Sequence, residues 1–148
     1  MLCFPVICSA QSNWKTYHNS KFEINYPSTW IIREQTSDSD GYYYSFKDNS
    51  QKMGGLGVYF LKKKSLFGSK DAEMTESRYQ EIVRSITTSQ GIFVGEVSSN
   101  GFAGRSYTAT QNVGGKPAEW KMNLYPYDEY VCVVFGFYRS DDKTQANL

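Results

Sequence analysis

The chain has 148 residues, which is the size of one domain with room for a substantial hydrophobic core. Its 16 basic and 15 acidic residues give a formal net charge of +1, so the molecule as a whole lacks the positive field that favours binding to nucleic acid or an anionic membrane. Its 12 tyrosines, nine phenylalanines and three tryptophans favour β-strands and would also suit a surface that binds protein or carbohydrate.

The first ten residues contain no charge and differ in composition from the rest of the chain. Residues 1–10 resemble the remnant of a secretory signal peptide, with an apolar core followed by Cys8, Ser9 and Ala10 at a cleavage site. We therefore predict an exported, periplasmic or extracellular protein whose mature part is one domain, residues 11–148. The alternative is a membrane-anchored lipoprotein that carries its lipid on Cys8. The run is too short to span a bilayer.

Three strands are predicted in the first half of the chain, after a polar leader that contains Trp14 and Tyr17. Phe22, Ile24 and Tyr26 alternate with polar residues, which is typical of a strand with one solvated face. The other two strands are predicted over Tyr42–Lys47 and Leu56–Leu61.

One amphipathic helix is predicted over Met74–Gln90. Its apolar residues recur at helical spacing and form a single stripe, namely Tyr79, Ile82, Val83 and Ile86. Thr75 is the expected N-cap and Gly91 the expected stop. We expect this helix to lie across the sheet.

The second half of the chain is predicted to be an antiparallel meander. Asn100 and Gly101 form the pair that most readily closes a two-residue hairpin. The predicted strands are Ile92–Ser98, Phe102–Asn112, Ala118–Tyr125 and Tyr130–Tyr138. The last of them is apolar on both sides, so we expect it to be the most buried strand of the sheet.

The sequence offers few residues for catalysis or metal binding. His18 is the sole histidine and lies in the polar leader, where an exposed loop position is expected. Cys132 lies in the buried strand and is expected to behave as a small hydrophobic residue rather than a nucleophile. Asp38, Asp40 and Gly41 resemble the start of a calcium loop but lack its later ligands. We therefore expect no catalytic residue, no cofactor and no metal.

A basic run and an exposed tyrosine are the candidate partner-binding residues. Lys62, Lys63 and Lys64 either form a solvated strand end that discourages edge pairing or a docking patch for an acidic partner. In the run Tyr42 to Tyr44, two side chains are expected to face the core, and Tyr43 is the candidate for contact with a partner or a sugar.

The segment Phe22–Trp30, F-E-I-N-Y-P-S-T-W, resembles the F-x-I-x-Y-P-x-x-W opening of bacterial members of the PsbP-like family, named for an extrinsic subunit of photosystem II. The resemblance implies an α+β fold in which a twisted antiparallel sheet of about six or seven strands packs against helices. It also implies an exported protein without enzymatic activity. Family members commonly close with an amphipathic helix, whereas here we expect the C-terminal helix to be short or missing. No site residue matches a family motif.

Two hypotheses for function follow. The first is an exported, non-enzymatic binding or assembly module that acts through protein or envelope contacts, without nucleic acid. The alternative is a small-ligand or carbohydrate carrier, or an enzyme, with an aromatic-lined pocket near Tyr79, Trp120 and Tyr127. We expect the sheet face opposite the helix to be covered by the leader and tail, or else to remain open as a partner site.

Overall fold

The computed structural model describes residues 2–4, 14–37, 41–48, 55–64, 68 and 73–139. Strands and a helix account for most of these residues. The strands are β1 (Leu2–Phe4), β2 (Trp14–His18), β3 (Phe22–Pro27), β4 (Trp30–Ser37), β5 (Gly41–Asp48), β6 (Gly55–Lys62), β7 (Ile92–Ser99), β8 (Phe102–Val113), β9 (Lys116–Tyr127) and β10 (Tyr130–Arg139). Helix α1 (Glu76–Thr87) lies between β6 and β7 in the chain.

Two sheets form the fold. The larger sheet has seven strands in the order β4-β5-β6-β10-β9-β8-β7, and every neighbouring pair is antiparallel. The smaller sheet has the order β1-β3-β2, with β1 parallel to β3 and β2 antiparallel to it. The predicted α+β class and the antiparallel sheet of six or seven strands are therefore confirmed.

Strand β10, which was predicted to be the most buried strand, is the central strand of the large sheet. It pairs with β6 on one side and β9 on the other. Val131, Cys132 and Val133 are fully buried, because the strand is covered on both faces. Strands β7 to β10 form the predicted meander, and Asn100 and Gly101 close the first hairpin with φ angles of 48° and 83°.

The small sheet covers one face of the large sheet. Tyr17 of β2 contacts the rings of Tyr44 and Phe46, and Phe22 of β3 contacts Tyr44 and Phe60. The buried residues of this layer are Phe22, Ile24, Tyr26, Tyr44, Phe46, Val58, Phe60, Tyr125 and Cys132. The leader residues Trp14 to His18 thus help to cover the second face, as expected, and they do so as a strand. The tail, from which further cover was expected, lies outside the described residues.

Helix α1 covers the other face, which we call the helix-side face. Its apolar stripe packs on β8 and β9. The buried residues there are Tyr79, Ile82, Val83, Tyr107, Ala109, Met122, Leu124, Val131, Val133 and Phe135. The Thr75 hydroxyl accepts a hydrogen bond from the Arg78 N–H, so the predicted N-cap is confirmed.

The predicted helix bounds were too wide. The helix begins at Glu76 and ends at Thr87, and the left-handed residue after it is Thr88, with φ 60°, rather than Gly91. The buried Thr87 hydroxyl hydrogen-bonds the Val83 and Ser89 carbonyls and accepts from the Ser89 N–H, which fixes the chain as it leaves the helix.

Two predictions concern the ends of the chain. Leu2–Phe4, within the predicted signal segment, pairs with Phe22 to Ile24, and export stays a prediction. The prediction of a short or missing C-terminal helix concerns residues 140–148, which lie outside the described residues. Within the described ranges, no helix has the length and apolar character needed to cross a bilayer.

Candidate functional site

Strand β7 lies at one edge of the large sheet and carries three consecutive exposed apolar side chains. Ile92 is 69% exposed, Phe93 46% and Val94 62%. We call these three residues the β7 patch. At the opposite edge, on β4, Ile31 is 44% exposed, but it stands singly. Because scattered apolar residues are normal at a protein surface and contiguous ones mark contact sites, the β7 patch is the stronger candidate for a functional surface.

A β-bulge produces the run of exposed side chains. Phe93 pairs with Tyr107, and the next paired residue, Gly95, is opposite Ser106, so Val94 has no partner residue on β8. A bulge adds one residue to a strand and redirects its side chain. Helix α1 packs on β8 and β9, one strand further in, which leaves the start of β7 open to solvent.

A charged cluster borders the β7 patch. The Arg105 Nη1 atom lies 2.8 Å from Glu76 Oε2, and Arg105 Nε lies 3.3 Å from Glu96 Oε1. The guanidinium carbon also lies 5.0 Å from the ring centroid of Tyr79 and 5.5 Å from that of Phe93. Since two carboxylates share one guanidinium, this cluster carries a formal net charge of −1 beside the apolar residues.

Glu76 accepts hydrogen bonds from three side chains in and around this cluster. Its carboxylate accepts hydrogen bonds from Gln80 at 3.0 Å and from the Tyr107 hydroxyl at 2.8 Å, besides the Arg105 contact. The Gln80 hydrogen bond is the main reason that the pKa of Glu76 lies below its ordinary value, and burial is the main cause that raises the pKa of Tyr107 to about 12. At neutral pH the carboxylate is therefore ionised and the phenol protonated, an arrangement that fixes charge rather than moving protons.

A second feature is a ladder of aromatic rings on the helix-side face. Ring centroids lie 4.3 Å apart between Tyr43 and Tyr59, 5.4 Å between Tyr59 and Phe135, 5.4 Å between Phe135 and Trp120, and 4.8 Å between Trp120 and Phe137. Because these rings are stacked or tilted on one another, their faces are turned toward neighbouring rings. This packing disfavours the ladder as a platform on which sugars stack.

The structure separates the predicted partner-binding residues. Lys62 and Lys63 are half-buried and Lys64 is exposed, and the Lys63 N–H donates to the Glu129 carbonyl at 2.7 Å. Tyr43 packs on the helix-side face, whereas Lys62, two residues from the inward-facing Phe60, belongs to the opposite face of β6. Lys62 and Tyr43 therefore lie on opposite faces of the large sheet, and a docking role for the three lysines and Tyr43 stays a prediction.

The residues of the predicted aromatic pocket are also on different faces. Tyr79 and Trp120 pack on the helix-side face. Tyr127 packs with Phe60 and Phe102 on the face that the small sheet covers. No single pocket can therefore be lined by all three, because the large sheet lies between them.

The environments of His18 and Cys132 do not favour a role in nucleophilic catalysis. The His18 side chain is 60% exposed, with Nδ1 at 3.6 Å from Glu23 Oε2. Cys132 is fully buried, and burial raises the pKa of its thiol. Asp38 and Asp40 lie outside the described residues. Across the described part of the chain, no group of three or more His, Cys, Asp or Glu residues is arranged to hold a metal ion.

Sequence reasoning missed the β7 patch. Ile92, Phe93 and Val94 open a predicted strand, and three consecutive apolar residues are usually a sign of burial on both faces. The available signal was the loss of alternation before Gly95, which is typical of a bulge. The charged cluster was missed because Glu76, Glu96 and Arg105 belong to three elements that only the fold brings together.

Comparison with known proteins gives similar structures but no sequence family. No family model matches the chain, and no curated protein matches it in a sequence search. Solved structures similar to it include a Bacteroides thetaiotaomicron protein, at 13% identity and a TM-score of 0.46, over 84% of this chain. The chain spans 41% of the length of that protein.

Two further similar structures are matched over most of their length. One is a Pseudomonas aeruginosa protein of unknown function, at 10% identity and a TM-score of 0.45, over 90% of this chain and 88% of the other. The other is a PsbP protein, CyanoP of Synechocystis sp. PCC 6803, at 12% identity and a TM-score of 0.44, over 93% of this chain and 86% of that one. Likenesses at this level carry no conclusion about a site or a function.

Proposed function

We propose that this protein is a non-enzymatic binding module that acts through contacts with another protein at the β7 patch. The observation that carries the proposal is the exposure of three consecutive apolar side chains on an edge strand. Apolar residues rimmed by charges are the usual composition of a protein contact site, and Arg105, Glu76 and Glu96 supply that rim.

The state of the ionisable residues supports a binding role over an enzymatic one. The buried thiol of Cys132 is held protonated by the raised pKa, and His18 lies at the solvated end of β2. Glu76 and Tyr107 hydrogen-bond each other in the protonation states that each would have at neutral pH in water. A general acid or base needs a pKa near the working pH, and these shifts lie in the opposite direction.

We also propose that the module is exported and meets its partner in the cell envelope. The support is the uncharged, signal-like composition of residues 1–10. Expression of the full chain followed by fractionation and mass measurement of its N-terminus tests this part: a form that begins near Gln11, or one lipidated on Cys8, is expected. An unprocessed chain in the cytoplasm would contradict export.

The contact surface is tested with matched substitutions on the two edge strands. Ile92→Lys places a charge in the β7 patch, and Ile31→Lys makes the same change at a half-exposed site on β4. Envelope proteins crosslinked to the wild-type chain and to Ile31→Lys, but not to Ile92→Lys, are the expected result. Equal capture by all three forms would refute the β7 patch as the contact surface, and turnover in a hydrolase screen would refute the non-enzymatic role.

A further inference from the structure

We infer that the partner binds β7 as an extended peptide segment that adds an eighth strand to the large sheet and carries apolar residues together with a basic one. This inference rests on the proposed function and specifies the chemistry of its partner.

The backbone of β7 is suited to pairing with a further strand. Among the strands that the structure describes, β8 pairs with its inner side and none pairs with its outer side, while β1 of the small sheet lies close to β7 without pairing with it. The strand reads I-F-V-G-E-V-S-S and contains no proline, lysine or arginine, the residues that usually protect an edge from pairing. Beyond the bulge, Gly95 to Ser98 pair in regular register with β8, so this part of the strand can serve as a template.

The size of the patch favours a peptide over a second copy of this chain. Three side chains with these exposed fractions present on the order of 300 Å², within the range of the largest apolar patch on an ordinary monomer. A stable dimer buries about 800 Å² on each partner, which the β7 patch does not provide. A peptide strand needs less side-chain area because main-chain hydrogen bonds along the edge supply part of its affinity.

The charge of the edge indicates a basic residue in the peptide. Glu96 is the only charged residue of β7, and the Arg105 beside it is shared with Glu76. The surplus of one negative charge lies next to the apolar patch, so a lysine or arginine in the added strand would be attracted and an acidic residue repelled. The expected partner segment therefore alternates apolar side chains with at least one basic side chain.

The test uses a phage-displayed library of random nine-residue peptides, selected on the full chain. Enriched peptides are synthesised, and their affinity is measured by fluorescence anisotropy for the wild type, Ile92→Lys, Ile31→Lys and Glu96→Gln. We expect peptides that alternate apolar residues with lysine or arginine. Ile92→Lys should weaken binding at least about tenfold and Ile31→Lys less than about twofold. N-methylation of alternate backbone nitrogens of the peptide should weaken binding at least about tenfold, since it removes ladder hydrogen bonds.

Amide hydrogen exchange gives a readout specific to strand addition. Binding should slow exchange at alternate residues of β7, because the remaining amides already pair with β8. No enriched peptide, peptides that tolerate N-methylation, acidic peptides, or a chain dimer lost in Ile92→Lys would each overturn the inference. If Ile92→Lys still abolishes crosslinking to the envelope partner while β7 shows no alternating protection, the β7 contact stands and strand addition is refuted.

Discussion

The side chain of Gln80 and the backbone of Gly91 form two hydrogen bonds with each other. Gln80 Nε2 donates to the Gly91 carbonyl at 2.9 Å, and the Gly91 N–H donates to Gln80 Oε1 at 2.9 Å. A side chain of helix α1 thus satisfies both polar backbone groups of the residue that precedes β7. The position of the β7 patch therefore depends on the helix, although the helix does not cover the patch.

Gln80→Ala should lower the free energy of unfolding by about 1–2 kcal/mol, because it removes two hydrogen bonds from partly buried backbone groups. Urea denaturation measures this loss, and hydrogen exchange should show faster opening at the start of β7. The control is Glu81→Ala on the exposed side of the same helix. Equal stability of the two variants would show that the hydrogen bonds between Gln80 and Gly91 do not contribute to the free energy of unfolding.

Glu76 should make the protein less stable in acid. Its folded-state pKa is lowered from 4.5, so the unfolded state binds a proton first as the pH falls. The stabilisation is therefore complete above about pH 5 to 6 and is lost as the pH falls through 4.5 to the lower folded-state pKa. Because the Glu76 side chain is half-exposed, the effect should be under about 1 kcal/mol.

In Glu76→Gln the free energy of unfolding should fall less between pH 6 and about pH 3 than it does in the wild type. Urea denaturation at each pH measures this. Glu81→Gln removes one carboxylate from the exposed side of the same helix and is the matched control for the change in net charge. If Glu76→Gln retains the full acid dependence, other carboxylates are responsible for it.

Several strands and turns were predictable from local pattern. The alternation in Phe22–Pro27, the Asn100-Gly101 turn and the unbroken apolar run of β10 each determine structure within a few residues. The small sheet was not predictable, because its strand β2 is mostly polar and exposed, and the parallel pairing of β1 with β3 joins segments about 20 residues apart. That pairing depends on tertiary packing.

The candidate site was predictable to a lesser extent. The side chain of Tyr43 lies on the opposite face of the strand from those of Tyr42 and Tyr44, as the alternation of side chains along a strand predicts. Ile92 and Val94 are exposed because β7 is an edge strand and because helix α1 does not extend over it. The sequence around these two residues determines neither of these facts. For the same reason, Lys62 and Tyr43 could not be assigned to different faces before the register of β5 and β6 was known.

Cys132→Ser should leave binding unchanged and lower the free energy of unfolding by about 1–3 kcal/mol, since it places a hydroxyl at a fully buried position. The native thiol should also react with iodoacetamide only under denaturing conditions, because burial raises its pKa and blocks access. Thermal denaturation and mass spectrometry of the alkylated protein provide the measurements. Rapid alkylation of Cys132 in the native protein, or loss of binding without loss of stability, would indicate a functional thiol.

Gly57→Ala should disturb the aromatic ladder, because a β-carbon at this position would overlap the ring of Phe135. The ring cannot move aside freely, since Tyr59 and Trp120 stack or lean on it at centroid distances of 5.4 Å. We expect a loss of about 1–3 kcal/mol in the free energy of unfolding, typical of an overpacked core, and a change in the near-ultraviolet circular dichroism of Trp120.

Gly95→Ala is the matched control, because no atom lies within 4 Å of the position that its β-carbon would take. It should leave stability unchanged or raise it by about 0.4–1 kcal/mol through the unfolded state. If Gly57→Ala is as stable as Gly95→Ala and keeps the native spectrum, the ladder is loosely packed. The ring faces could then bind a flat ligand. That result would support the alternative hypothesis of a small-ligand or carbohydrate carrier, which the stacked rings now disfavour.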